Sequence, residues 1–370
     1  MSDAPDAATL IPDWTIEPHP SPVPVGERTQ RLLDPGFGRV HTDHMAVIRY
    51  TADKGWHDPR IQPRASLSMD PASAVLHYAQ EIFEGLKAYK TVDGGLALFR
   101  PDANARRFQD SARRMAMPEL PTELFVESCR RMALTDRDWI PAIDGGALYL
   151  RPFMIANEVF LGVKPASEYL YIVIGSGVGP YFRGATPAVS LWVSQDYSRA
   201  APGGTGAAKC GGNYAASLMA QQEAIRLGFD QVVFLDAVER RFVEELGGMN
   251  LFFVFADGSL STPPLTGTIL PGITRDSLMT LARDLGMTVR EEPYTLDQWR
   301  TDAESGRLTE TLACGTAAIV TAVGKVTART TSFTIGGGVP GPVGTRLRQA
   351  LVDIQRGAAP DRHGWLDRIA

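Results

Sequence analysis

Residues 203–217 read GGTGAAKCGGNYAAS, and a single lysine, Lys209, stands in this run between glycine-rich flanks. Glycines without Cβ let other backbone, or a flat ligand, come close to the amine. The predicted helix that follows begins at Asn213, which puts the lysine just before a helix N-terminus. A lysine is by default a solvated side chain. This one sits where crowding and partial desolvation are expected, and desolvated lysine amines are the ones that form Schiff bases with carbonyl compounds.

Downstream, NYAASLMAQQEAIRLG has helical spacing and is closed by Gly228. The runs DQVVFLD, RFVEE and NLFFVF then read as strands. ITRDSLMTLARDLG is the clearest helix, with Thr274 as its expected N-cap and Gly286 at its end. Upstream, HMAVIRY, GLALFR, ALYLRPFMI and YLYIVIGSGVG read as strands, and PASAVLHYAQEIFEGLKAYK as a helix running into a strand. RPDANARRFQDSARRMAM is a helix with Pro101 in its first turn; Phe108, Ala112 and Met115 lie on one face, and its arginines are expected on the other.

These elements predict a mixed α/β chain in two domains. Residues 1–35, with EPHPSPVPVGE, form an extended arm and residues 36–182 a small α/β domain. Residues 183–206 are a linker holding one glycine- and proline-bracketed strand, VSLWVSQ, and residues 207–370 are a larger domain with the lysine.

The chain has 370 residues, 44% apolar and 21% charged, and a net charge of −5. Mixed charge with an acidic balance excludes the basic stripe that a nucleic-acid backbone needs. Cys129, Cys210 and Cys314 form no CxxC pair and no disulfide framework, and no run reaches the length of a membrane span. A soluble, cytoplasmic protein that needs no metal is expected.

If the carbonyl partner of Lys209 is pyridoxal phosphate, the chain must also offer a carboxylate for the ring nitrogen, a hydroxyl for the ring oxygen and N–H groups for the phosphate. Glu244 and Glu245 end the strand before Gly247–Gly248, and strand alternation lets one of the two point inward. Tyr214 lies five residues after Lys209. TGTILPG at 266–272 and CGTA at 314–317 are glycine turns with free N–H groups, and Arg107 is a candidate cation for the phosphate.

Together, KCGGNYAAS, VEELGGMNLFF, LSTPPLTGTILPGITR, ACGTAA, LYLRPFMIANEVFLGV and EIFEGLKAY resemble the motifs of branched-chain amino acid aminotransferases. These are fold-type IV pyridoxal phosphate enzymes with a D-amino acid aminotransferase-like fold. The resemblance runs in order from about residue 40 to the C-terminus. It implies that Lys209 carries the cofactor and the migrating proton, with Tyr214 at the ring oxygen and Glu245 at the ring nitrogen. Arg107, Thr268, Ile269 and Thr316 would hold the phosphate, with Arg199 near the cofactor. The substrate pocket would be formed by Tyr78, Phe83, Tyr149, Arg151 and Tyr181, with the substrate carboxylate near Gly315, Thr316 and Ala317. The reaction implied is transamination of leucine, isoleucine or valine with 2-oxoglutarate in a homodimer whose partner subunit completes the pocket. D-amino acid transamination and aminodeoxychorismate lysis are the alternatives on the same fold. Gly248 stands where eukaryotic relatives carry threonine, and AIVTAV after GTA lacks the CxxC of some members, so no dithiol switch is expected.

Overall fold

A computed structural model describes residues 13–181 and 188–370. Residues 1–12 of the expected arm and 182–187 at the expected linker lie outside the described residues. Among the described residues, two nine-stranded sheets make up the frame. In the first, the order is Thr15–Ile16, Gly55–Pro63, Val40–Thr51, Glu168–Val178, Ala147–Ala156, Leu86–Lys90, Leu96–Phe99 and Leu366–Arg368. Glu81–Phe83 pairs with Ala147–Ala156. In the second, the order is Val243–Leu246, Gln231–Leu235, Ala188–Ser194, Ile319–Thr327, Leu308–Gly315, Asn250–Phe255, Leu260–Thr262 and Val289–Glu291. Ser332–Thr334 pairs with Ile319–Thr327.

The strand VSLWVSQ, read as part of a linker, is a central strand of the second sheet, parallel to both neighbours. Its alternating Val189, Leu191 and Val193 are buried, and that burial outweighs the flanking glycine and proline. The last residues also depart from the expected larger domain: Leu366–Arg368 returns to the first sheet beside Leu96–Phe99. The arm holds a helix, Val25–Leu33, in addition to its extended part.

The helix expected from PASAVLHYAQEIFEGLKAYK is short, Ala74–Tyr78. It ends where Ala79 takes a positive φ of 49°. Strands Glu81–Phe83 and Leu86–Lys90 then bring EIFEGLKAY into the first sheet. The helix Ile273–Asp284 has Gly272 as its N-cap, so Thr274 lies inside the first turn.

Tyr89, Tyr149 and Val178 of the first sheet and Phe252, Leu312 and Cys314 of the second belong to one buried apolar cluster. Helices Ile273–Asp284 and Pro342–Gln355 pack into it. The two halves therefore share a core, and the lysine segment lies along their junction. Among the described residues no helix is long and apolar enough to cross a membrane.

Candidate active site

Lys209 precedes the helix Gly211–Arg226. Its backbone is clipped on both sides: the N–H donates to Ser111 Oγ at 2.9 Å, and the carbonyl accepts from the Phe83 amide at 2.9 Å. Two glycines of the opening stretch owe their identity to the protein itself. A Cβ on Gly206 would collide with the Thr268 backbone, and one on Gly211 with the Glu81 carboxylate, which accepts the Gly211 N–H. Asn213 stitches the loop shut, donating to the carbonyls of Thr205 and Ala208 at 2.8 Å each.

The Lys209 amine donates to the Tyr214 hydroxyl at 2.8 Å and lies 4.7 Å from the centre of the Phe83 ring. All three side chains line a cavity of about 200 Å³. Arg107, Tyr149, Arg151, Tyr181, Glu245, Gly315, Thr316 and Ala317 line it too, so most of the site residues expected from the sequence meet around one space.

Four others lie apart from the cavity wall. Tyr78 is 39% exposed on the short helix Ala74–Tyr78. Thr268 and Ile269 are buried in the 266–272 loop. Arg199 lies behind Glu245, with Nη1 2.8 Å from Oε1 and also donating to the Thr268 carbonyl at 3.0 Å.

Both glutamates of the pair are buried, against the expectation that one would face out, because both faces of Val243–Leu246 are covered. Glu244 accepts from the Thr268 hydroxyl. Glu245 Oε1 accepts from the Leu270 amide at 2.9 Å, and Oε2 from Asn250 Nδ2 at 3.3 Å. Burial pushes the Glu245 carboxyl up to about 7, against the pull of the Arg199 guanidinium and the Leu270 N–H. A cationic partner in the cavity would favour its charged form.

Arg107 is buried, not on the solvent face of its helix. Its Nε and Nη2 grip Glu84 at 2.7 and 2.8 Å, and Nη1 donates to the Pro271 carbonyl at 3.0 Å. Burial pushes the Glu84 carboxyl up, but Arg107 outweighs it and holds the group below its ordinary range. Glu84, Ser111, Phe37 and Asn250 also belong to the site and its support, though none was expected from the sequence. Ser111 had a signal, since it lies one helical turn from Arg107; Phe37 had none, yet its ring packs edge-on against Tyr149 and Tyr181.

The donor set fits pyridoxal phosphate. An amine, a phenol and a buried carboxylate share one cavity, and Gly272, Ile273 and Thr274 bring to it a helix start without a side-chain cap. Phe83, Tyr149, Tyr181 and Met249 supply apolar wall, and Arg151 lies over the Phe83 ring with its Nη2 3.1 Å from the Tyr149 hydroxyl.

Residues 81–325 match the family Amino-transferase class IV. The chain belongs to the class IV aminotransferases. It is similar to the probable branched-chain-amino-acid aminotransferase of Streptomyces coelicolor, 56% identical over 97% of this chain and 99% of the relative. Among solved class IV aminotransferase folds it is similar to the branched-chain amino acid aminotransferase of Escherichia coli, with a TM-score of 0.72, 30% identity and coverage of 88% of this chain and 100% of that one. It is similar also to the T.th. branched-chain amino acid aminotransferase complexed with N-(5'-phosphopyridoxyl)-L-glutamate, with a TM-score of 0.70, 30% identity and coverage of 88% and 99%.

Proposed function

We propose that this chain moves the amino group between L-leucine, L-isoleucine or L-valine and 2-oxoglutarate, with pyridoxal phosphate as cofactor. The observation that carries the reading is the Lys209 amine on the Tyr214 hydroxyl, in one aromatic-walled cavity with the buried Glu245 carboxylate. Lys209 would hold the cofactor, Tyr214 its ring oxygen and Glu245 its ring nitrogen. Arg107, Thr316 and the helix start at Gly272–Thr274 would hold its phosphate, with Thr268 and Ile269 shaping the loop beneath. When bound, the cofactor supplies an electron-withdrawing ring that acidifies the Cα proton of the amino acid attached to it.

The chain's own groups do the rest. The Lys209 amine takes and returns the migrating proton, and the Tyr214 hydroxyl fixes where that amine rests. Arg199 and the Leu270 amide keep Glu245 in place. Phe83, Tyr149 and Tyr181 accept a branched aliphatic side chain, while Arg151 offers a charge for the second carboxylate of glutamate. Gly315, Thr316 and Ala317 form the turn assigned to the substrate carboxylate.

The protein is expected to work as a cytoplasmic homodimer. Leu76, Tyr78, Phe160, Leu161 and Val163 are exposed, and the two segments that carry them are tied by the Phe160 amide to the Ala72 carbonyl. A second copy covering this patch would explain its apolar surface and would bring Tyr78 to a partner's pocket. The activity is tested by parallel assays with L-leucine plus 2-oxoglutarate, D-alanine plus 2-oxoglutarate, and aminodeoxychorismate. Turnover with L-leucine alone supports the reading; turnover confined to D-alanine or aminodeoxychorismate moves the chain to another class IV activity.

A further inference from the structure

Behind the Gly315–Ile319 turn lies a second cavity of about 530 Å³, which shares Tyr181 and Ala317 with the first. Lys87, Arg348 and Arg356 face it. Lys87 is only 4% exposed, and burial, then Arg348 and Arg356, push its amine down to about 8. Among the described lining residues Asp144 is the one carboxylate, and it is exposed. Glu310, beneath the start of helix Pro342–Gln355, is committed to the amides of Val343 and Gly344. The buried Lys87, the half-buried Arg356, which also donates to the Gly146 carbonyl at 3.1 Å, and the exposed Arg348 converge on open space with little counter-charge, a setting an anion relieves.

The cavity also has a mechanical link to the substrate turn. Lys87 Nζ donates to the Ala317 carbonyl at 2.9 Å. That turn closes the hairpin between Leu308–Gly315 and Ile319–Thr327 with Ile319 at φ 64°, a conformation that β-branched residues rarely adopt. The Lys87 bond therefore helps to hold a strained turn. A carboxylate is a stronger acceptor for an ammonium than a neutral carbonyl and would compete for it.

We propose that this second cavity binds a small di- or tricarboxylate, which draws Lys87 off the Ala317 carbonyl and thereby loosens the turn that receives the substrate carboxylate. The inference rests on the transaminase reading for its effect on leucine, but not for the binding itself.

Citrate is a suitable probe, because it has neither an amino nor a keto group to transaminate. Calorimetric titration of the holoenzyme at fixed ionic strength is expected to give one citrate per chain with a Kd below about 1 mM. Citrate raises the half-saturating L-leucine concentration several-fold and leaves the saturated rate unchanged. By linkage, L-leucine weakens citrate by the same factor and then no further. Arg348→Ala weakens citrate about tenfold or more, with leucine kinetics unaltered in its absence, and Lys87→Met abolishes the coupling. Citrate expelled without limit by leucine, or bound equally well by Arg348→Ala, would place it in the substrate cavity and overturn the proposal. No binding, or binding of inorganic phosphate in place of citrate, would overturn the carboxylate assignment. A chain silent to leucine that still binds citrate through Arg348 would lose the proposed activity and keep the site.

Discussion

Lys209 was legible because an amine with glycine flanks is unusual and chemically loaded, and Tyr214 and Glu245 because each answers a demand that such an amine makes. Ser111 was not, since a hydroxyl on a helix has many uses, although its 2.9 Å bond from the Lys209 amide sets where the lysine begins. Ser111→Ala is expected to cost about 1 kcal/mol of that positioning and to lower kcat several-fold in the leucine assay while the cofactor is retained. Glu245→Gln is expected to keep the cofactor and lose on the order of 10²-fold in kcat, read in the same assay.

Glu245 also makes a pH prediction for the cofactor-free protein. Its folded value of about 7 lies above the ordinary 4.5, so the folded state holds the proton more tightly. The stability this contributes is fully present below the ordinary value and is lost as pH rises through the folded one. Melting temperatures of wild type relative to Glu245→Gln should fall between those limits; a difference that rises with pH would contradict the burial argument.

Among the elements, the type of most segments was legible, while their exact ends and their place in a sheet were not. Ile273–Asp284 and Pro101–Arg114 follow their apolar spacing. Ala188–Ser194 was legible as a strand but not as a central one, because the turn residues around it suggested a linker, and the point where the helix Ala74–Tyr78 gives way to strand was hidden because Ala79 ends the helix through backbone geometry that no side chain announces. The cap on Pro342–Gln355 comes from outside the helix: Glu310 accepts the Val343 and Gly344 amides at 2.8 Å each. Glu310→Gln leaves one buried amide facing a donor, which is expected to cost roughly 1–3 kcal/mol and to appear as a lower melting temperature. An unchanged melt would show that the cap is dispensable.

For the molecule as a whole, the two sheets and their order could not be read from periodicity, because pairing is long-range and the C-terminal strand returns to the first sheet. The apolar patch at 76–78 and 160–163 leads to an assembly prediction. Leu161→Asp with Val163→Asp is expected to convert a dimer to a monomer in sedimentation analysis; a dimer that survives both changes has its interface elsewhere. Whether Lys209 carries the proposed transamination chemistry is read from the visible absorption spectrum of the purified, cofactor-loaded protein before and after L-leucine is added without a keto acid. L-leucine is expected to bleach the visible band, D-alanine to leave it unchanged, and Lys209→Ala not to respond. A band untouched by L-leucine, or one bleached by D-alanine instead, would contradict the proposed chemistry.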